Sequence, residues 1–123
     1  MRTLSSHRTV ANVGSIEWIR LEQPGLPDDR VWWHNISYDE AAGFGSYFYK
    51  MSPGARSNPH QHLGPEEFFV LEGDLVDCDG HVYEEGDFVS LDAGSKHDSV
   101  SPSGCTLLVT HRGVVRNVKK GDL

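Results

Sequence analysis

The chain has 123 residues, of which 24% are charged and 37% hydrophobic, and its formal net charge is −7 with the histidines neutral. This length suits one domain with one core, and the acidic balance disfavours nucleic acid and anionic membrane surfaces as partners because both attract basic faces. No apolar run reaches the roughly 20 residues of a membrane helix, and the first residues lack the apolar segment of a signal peptide. We therefore expect a cytoplasmic protein in which Cys78 and Cys105 are reduced thiols.

The chain is poor in helix signals and rich in strand signals. Residues 1–30 are expected to form an N-terminal arm or edge strands of the same domain, and the best helical candidate, "EWIRLEQPG" at residues 17–25, is ended quickly by Pro24, Gly25 and Pro27. Residues 31–123 contain short aromatic or β-branched runs separated by glycine, proline, aspartate or serine. The predicted strands are "VWWHNIS", "GFGSYFYKM", "EFFVLEG", "HVYEEGDFVSL", "HDSVS", "CTLLVTHR" and "VVRNV". Their spacing predicts an all-β barrel or sandwich without an internal domain boundary.

The turns between these strands have local reasons. Asp79-Gly80 predicts a two-residue hairpin turn, because both residues tolerate positive φ angles. Cys78 lies in the same turn, so we expect it to be exposed. Cys105 begins an apolar strand, where a buried and unreactive thiol is the usual case. Gly73 stands between apolar segments and predicts a position where a side chain would cost strain.

The segment "PHQHLGPEE" at residues 59–67 is the first candidate functional site. Side chains alternate faces along a strand, so His60 and His62 point the same way with Cβ atoms roughly 7 Å apart. This separation lets both ring nitrogens approach one metal ion at about 2.0–2.1 Å. An isolated HxH pair is weak evidence for a metal site, and two downstream carboxylates, Glu66 and Glu67, are both available as a further ligand.

The neighbourhood of the two histidines resembles a known motif. Gly54, five residues, His60, one residue, His62, three residues, Glu66, six residues and Gly73 is similar to the first motif of the cupin superfamily. The family allows three or four residues after the second histidine. The six-residue gap before the last glycine selects Glu66, and alternation then turns the residue after it outward as a solvated or supporting carboxylate.

A second motif of the same superfamily follows. Gly86, five residues, Asp92, one residue, Gly94, two residues and His97 matches it except that the family usually has proline where Asp92 stands. Over about residues 31–111, the runs "GPEEFFVLEG", "GDFV" and the "GC-LL-V" strand resemble the ChrR-type cupins. That group includes a domain of an anti-sigma-factor family and the acetylacetone-cleaving dioxygenases.

The resemblance implies a single-domain, all-β fold of the cupin type, which is an antiparallel jelly-roll β-barrel over residues 31–123. It also implies one divalent metal ion per chain, held by His60, His62, Glu66 and His97. Three imidazoles and one carboxylate suit Fe(II), Zn(II), Mn(II), Ni(II) or Cu(II), so the donor set does not identify the metal. In the interior, Glu66, Phe68 and Val70 are expected to face the barrel.

The implied function is that of a dioxygenase cleaving a small β-diketone or hydroxy-ketone, with a small molecule as partner. Two alternatives remain: a ligand-sensing or structural-metal cupin without catalysis, and a metal-dependent isomerase or lyase. Residues 1–30 are too few for the sigma-binding domain of the anti-sigma relatives, so we expect no direct anti-sigma role. We expect a homodimer, because exposed strand edges favour pairing and cupins are frequently dimers.

The remaining histidines lack partners at ligand spacing. We expect them at the surface, at the edge of the core or in the N-terminal arm: His7, His34, His81 and His111. Aromatic residues are candidates for the pocket lining that the sequence does not place, among them Phe44, Tyr47, Tyr49 and Phe68.

Overall fold

The computed structural model describes residues 3–23 and 30–123, and strands dominate the regular structure in these ranges. Short 3₁₀ helices lie at Leu4–His7 and Lys120–Asp122. The strands of the described residues are β1 (Ile19–Arg20), β2 (Val31–Asn35), β3 (Phe44–Met51), β4 (Ala55–Arg56), β5 (His60–His62), β6 (Glu66–Asp77), β7 (Val82–Glu84), β8 (Phe88–Leu91), β9 (Lys96–His97), β10 (Ser99–Ser101), β11 (Cys105–Arg112) and β12 (Val115–Asn117). No helix in these ranges is both long and apolar enough to cross a membrane.

The strands form one large and one small antiparallel sheet. The large sheet has the order β1-β2-β3-β11-β6-β10-β4, and β7 and β8 also pair with β6. The small sheet has the order β12-β5-β9. This curled antiparallel arrangement is a cupin jelly roll, so the predicted fold class is confirmed.

Alternation along the central strands builds the core. In β11, Cys105, Leu107 and Val109 are buried, and the residues between them are only partly covered. In the first half of β6, Phe68 and Val70 are likewise buried. The predicted inward direction of Glu66, Phe68 and Val70 in β6 is confirmed.

A bulge in β6 changes which residues face the barrel. The pairing of β6 with β11 shifts between Thr106 and Leu107, which leaves Leu71 without a partner in β11. Before this point the even-numbered residues of β6 are buried, whereas after it the odd-numbered Leu75 and Asp77 are. One extra residue in a strand re-aims every side chain beyond it, and here it turns a carboxylate into the barrel.

Gly73, just after the bulge, is required by its backbone. Its φ angle is +85°, and a Cβ atom at this position would lie 1.9 Å from the carbonyl oxygen of Gly104. Any other residue would therefore collide with the neighbouring backbone as well as adopt a left-handed conformation that costs free energy. The prediction that a side chain is not tolerated at Gly73 is confirmed.

The hairpin between β6 and β7 differs from its prediction. Gly80 N donates to Asp77 O at 2.8 Å, and Asp77 N donates to His81 O at 3.0 Å. Gly80 has a φ angle of +86°, and no residue other than glycine has a positive φ angle in the described ranges. The predicted two-residue turn is therefore wrong: a longer loop with one left-handed glycine follows the strand twist without forcing Asp79 into that region.

The best helical candidate, residues 17–25, contains no helix in its described part, residues 17–23, and provides an edge strand instead. Ile19–Arg20 form β1 and pair with Trp33 and Trp32 of β2. A helix this short is marginal in water, and the open edge of β2 offers hydrogen bonds to the same backbone. Pro24, Gly25 and Pro27, which were expected to end the helix, lie outside the described residues. The division of the chain at residue 30 stays a prediction.

The two thiols give a first testable prediction. Cys78 is exposed and Cys105 is buried, as predicted, and burial raises the pKa of the Cys105 thiol to about 11. Because the thiolate is the reactive form, a thiol with this pKa is only about one part in a thousand ionised at pH 8. We expect a colorimetric thiol reagent to modify one cysteine quickly in the folded protein and both in denaturant. The Cys78→Ser variant should show no fast phase, and two fast thiols in the native protein would contradict the buried placement.

Candidate metal centre

Three histidines meet on the small sheet because β5 is its central strand. His60 lies directly across from His97 of β9, and on the other side β5 pairs with β12. His60 and His62 lie on the same side of β5, with ring centroids 4.8 Å apart. The His97 ring is 4.5 Å from that of His60 and 4.9 Å from that of His62. Two neighbouring strands therefore bring together residues that are far apart in the sequence.

Glu66 joins the three rings from the large sheet. It is the first residue of β6 and is 7% exposed, and its Oε2 atom lies against His62 Nε2. One candidate ligand atom from each of these residues, His60, His62, Glu66 and His97, lies within 4.8 Å of all the others. The geometry thus selects Glu66, whereas the next residue, Glu67, pairs across the sheet and is only partly buried.

Each ring is oriented through its other nitrogen. His60 Nδ1 lies 2.8 Å from the carbonyl oxygen of Asn58. His62 Nδ1 lies 2.9 Å from Ser95 Oγ, and His97 Nδ1 lies 2.9 Å from Asp77 Oδ1. Hydrogen bonds of this kind fix the tautomer and the rotation of a ring that binds a metal through Nε2.

The turn of the second motif holds His62 at its backbone as well. Gly94 N donates to His62 O at 2.7 Å, and His62 N donates to Ser95 O at 2.9 Å. Together with the contact from Ser95 Oγ, the turn restrains His62 at three atoms. The turn after β8 therefore has a structural role in the site although it provides none of the clustered side chains.

Asp77 is the centre of a buried hydrogen-bond network behind His97. Besides His97 Nδ1, it accepts hydrogen bonds from the Tyr83 hydroxyl at 2.6 Å and from the Ser99 hydroxyl. Burial alone would raise the pKa of Asp77, but these three donors lower it overall. Burial would likewise lower the pKa of His97, but the hydrogen bond and charge of Asp77 raise it. The carboxylate thus makes the His97 ring more basic.

The positions of the protons on His60 and His97 leave two unprotonated nitrogen atoms facing each other. Asn58 O and the Asp77 carboxylate only accept hydrogen bonds, so the facing Nδ1 atoms of His60 and His97 carry the protons. When both rings are neutral, each Nε2 atom carries a lone pair and no proton. The two Nε2 atoms nevertheless lie 2.9 Å apart. Two imidazole nitrogens bound at about 2.1 Å to one ion are themselves about 3 Å apart when they bind at right angles. The donor set therefore fits a metal ion.

The carboxylate points to the same conclusion. Glu66 Oε2 is buried, and among the described residues it has the close contact with His62 Nε2 but no hydrogen bond of normal geometry. An acceptor left in this state costs free energy unless a ligand or ion satisfies it. Burial would raise the pKa of Glu66, but the contact with His62 and the nearby imidazoles outweigh it and lower the pKa. Burial, followed by the proximity of His97, lowers the pKa of His60 to about 4, so this ring is neutral and ready to bind a cation at pH 7.

A cavity of about 270 Å³ borders the cluster and includes His60, Glu66 and His97 in its wall. Its volume lies near the lower end of ligand pockets. The rest of the wall is largely apolar and is shared with the core: Leu21, Met51, Phe68, Leu75, Leu107 and Val109. The cluster therefore faces a small internal space that suits a small organic ligand.

The other candidate residues divide between the cavity and the surface. Tyr47, Tyr49 and Phe68 line the cavity, whereas Phe44 is exposed. His34 is partly buried, with Nδ1 2.8 Å from the carbonyl oxygen of Glu17. His7 and His81 are exposed, as expected.

His111 lies deeper than predicted. It is 5% exposed, lines the cavity and lies 2.8 Å from the Tyr47 hydroxyl through Nε2. Its inward direction follows from the alternation of β11, which a longer count along "CTLLVTHR" would have shown. Asp77 was missed as well, because the bulge in β6 reverses the alternation that the sequence suggests.

The comparisons with known proteins agree with this architecture. The model of the ChrR cupin-like domain family matches residues 6–115. A comparison with curated protein sequences gives no match. A predicted acetylacetone dioxygenase from Methylibium petroleiphilum PM1 superposes with a TM-score of 0.79 at 16% identity, covering 93% of this chain and 83% of that one. An acetylacetone dioxygenase from Acinetobacter johnsonii superposes with a TM-score of 0.74 at 15% identity, covering 93% and 82%.

A third structure is the complex of Rhodobacter sphaeroides SigE with the anti-sigma ChrR. It superposes with a TM-score of 0.64 at 19% identity, covering 81% of this chain and 50% of that one. At these identities the likeness concerns the fold, while the family match extends over most of the sequence. The chain, with its jelly roll and its inward cluster of three histidines and one glutamate, belongs to the ChrR cupin-like domain family.

Proposed function

We propose that His60, His62, Glu66 and His97 hold one divalent metal ion and that the protein is a dioxygenase cleaving a small β-diketone or hydroxy-ketone. The observation that carries this proposal is the opening of the four-residue cluster, three of whose members are buried, onto a small, mostly apolar cavity. A structural metal site is usually closed by its protein ligands, whereas a catalytic site leaves room beside the ion. The solved structures named as acetylacetone dioxygenases share this fold and add support for the substrate class.

The chain's own residues prepare the site before a ligand arrives. The hydrogen bonds at Asn58, Ser95 and Asp77 hold the three rings with Nε2 directed at one point. Glu66 contributes one negative charge, so that a divalent ion in the cluster leaves a net charge of +1 for an anionic ligand. When bound, a redox-active ion such as Fe(II) would provide a path for electrons from an electron-rich enolate to dioxygen.

The apolar wall has a role of its own. Side chains such as Met51, Phe68 and Leu107 give part of the cavity an apolar lining, and an attraction between charges is stronger against such a lining than in water. The same side chains would contact the alkyl groups of a small ketone.

An oxygen electrode tests this function. We expect protein loaded with Fe(II) to consume dioxygen when acetylacetone or a related diketone or hydroxy-ketone is added, and protein loaded with Zn(II) to consume none. Glu66→Gln, which keeps the size of the side chain but removes its charge, is expected to slow uptake at least tenfold because the balance of charge at the site changes. Absence of substrate-dependent uptake across the series would reject the dioxygenase function.

The same loading series separates the two other functions. Turnover of an added ketone without oxygen consumption would indicate an isomerase or lyase. Zinc in the purified protein together with no turnover would indicate a structural metal or a ligand sensor. Homodimerisation and a cytoplasmic location stay predictions.

A further inference from the structure

Tyr47 and His111 form a polar pair in the wall of the cavity. The amide groups of the same wall are engaged elsewhere, since Gln23 donates to Arg56 O and Asn58 donates to Asn117 Oδ1. The Tyr47 hydroxyl and His111 Nε2 share a hydrogen bond of 2.8 Å, and both side chains line the cavity. Tyr47 is on β3 and His111 is on β11, where the backbone of His111 pairs with that of Glu66. The pair therefore stands beside the cluster, but neither of its residues belongs to it.

The aromatic neighbours hold the pair in place. The rings of Tyr47 and His111 stack at 5.5 Å with an interplanar angle of 23°. Tyr38 lies 5.3 Å from Tyr47 and 5.4 Å from His111, and Trp33 contacts Tyr47 edge-on at 5.6 Å. Aromatic contacts at these distances are favourable and leave little freedom to rotate. The positions of the two polar groups are thus set before any ligand binds.

The Tyr47–His111 pair has one hydrogen-bond donor that its mutual hydrogen bond does not use. A neutral histidine carries one N–H group and a tyrosine carries one O–H group. Their mutual hydrogen bond uses one of these two protons, whichever tautomer is present. The other proton remains on the Tyr47 hydroxyl or on His111 Nδ1, and neither atom has another hydrogen-bond partner among the described residues. A protonated imidazole would carry one N–H group more, so the pair has at least one donor to spare in either state of the ring.

The charges around the cavity narrow the class of ligand. No lysine or arginine is among the described residues that line it, and Glu22 and Glu66 are its acidic members. A ligand with two carboxylates would bring two negative charges to a site whose divalent ion and Glu66 together offer only +1. An enolate with one negative charge balances the site, and its oxygen atoms accept hydrogen bonds without requiring a cationic side chain.

We propose that the Tyr47–His111 pair is the specificity-determining hydrogen-bond donor of the cavity, which positions an oxygen of a singly charged 1,3-dicarbonyl ligand beside the metal. This inference rests on the proposed function for the class of ligand, and it adds the residues that recognise it. The pair acts as a unit, because Tyr47 cannot present its proton reliably without the ring behind it and His111 loses its orientation without the hydroxyl. It is a positioning device, and the bond that breaks in the reaction does not involve it.

Calorimetric titration of the Zn(II)-loaded protein with acetylacetone tests the inference without turnover. We expect Tyr47→Phe to weaken acetylacetone binding by about tenfold to a hundredfold, as is typical for a hydrogen bond to a charged group. His111→Phe is expected to weaken binding by a similar factor. The double variant should lose no more than either single variant, since the two residues form one unit. The zinc content of Tyr47→Phe should equal that of the wild type, and its thermal unfolding should remain cooperative.

Ser46→Ala is the matched control, because it removes a hydroxyl that makes another hydrogen bond between β3 and β11, with Thr110, and neither residue lines the cavity. It is expected to change the affinity less than twofold. Malonate, a dicarboxylate of similar size, should bind the wild type at least tenfold more weakly than acetylacetone. Equal acetylacetone affinities of the wild type and Tyr47→Phe, or no acetylacetone binding by the wild type, would overturn the inference.

The oxygen electrode keeps the two proposals apart. Weakened binding in Tyr47→Phe, with no oxygen consumption by the Fe(II)-loaded wild type, would support the recognition role and reject the dioxygenase. Oxygen consumption by the wild type, with unchanged acetylacetone binding in Tyr47→Phe, would support the dioxygenase and reject the recognition role.

Discussion

His97→Ala is expected to reduce bound metal from one ion per chain to almost none. The substitution removes one of four convergent donors and leaves the carboxylate of Asp77 without the ring that it orients. Loss of a supporting residue outside the donor set typically costs about 10–100-fold in metal affinity, so loss of a donor should cost more than 100-fold. Elemental analysis after dialysis against a weak chelator measures the effect, and His60→Ala and His62→Ala should behave alike.

Gln61→Ala is the control for this series. Gln61 lies between the two histidines on β5, but its side chain points away from them and contacts Gly94 O and Arg116. It should retain one ion per chain. Thermal unfolding provides a second measurement, because zinc at 100 times its Kd stabilises the folded state by about 2.7 kcal/mol. That increase should appear in the wild type and in Gln61→Ala, and it should be missing in His97→Ala. Full metal content in all three histidine variants would show that the donors are assigned wrongly.

The sequence predicted the histidine cluster through one local rule and one family resemblance. Alternation on a short strand puts His60 and His62 on one side, and the resemblance to the cupin motifs implied the partners Glu66 and His97. The structure shows why residues at this spacing meet. Strands β5 and β9 pair so that His60 lies across from His97, and β6 begins at Glu66, close to both histidines. The same period-2 rule, extended along β11, places His111 inside the barrel.

Other parts of the site depend on events that no local pattern shows. The bulge at Leu71 is a mismatch between two strands that are distant in the sequence, and without it alternation would direct Asp77 away from the barrel. Similarly, the short β1 forms because an open strand edge lies beside it. Residue patterns predict which side of a strand is apolar, but they do not predict where register changes. The residues that support a metal site are therefore harder to find than its ligands.

Asp77→Asn is expected to weaken metal binding by about 10–100-fold while the fold remains. The carboxylate accepts hydrogen bonds from His97, Tyr83 and Ser99, whereas an amide has one acceptor oxygen and an NH₂ group that would face a donor. His97 would then lose the negative charge that makes its ring more basic and part of the restraint on its orientation. Competition with a chromophoric zinc chelator measures the affinity.

Asp92→Asn removes a carboxylate of the same kind from an exposed position in the turn that supports His62, so it should bind metal like the wild type. If the negative charge of Asp77 supports metal binding, another acidic side chain at this position should restore part of the metal affinity. Asp77→Glu restores the charge and should recover more of the affinity than Asp77→Ser, which restores only a small polar group. Wild-type affinity in Asp77→Asn would mean that the charge behind His97 is dispensable and that packing around the ring is enough to orient it.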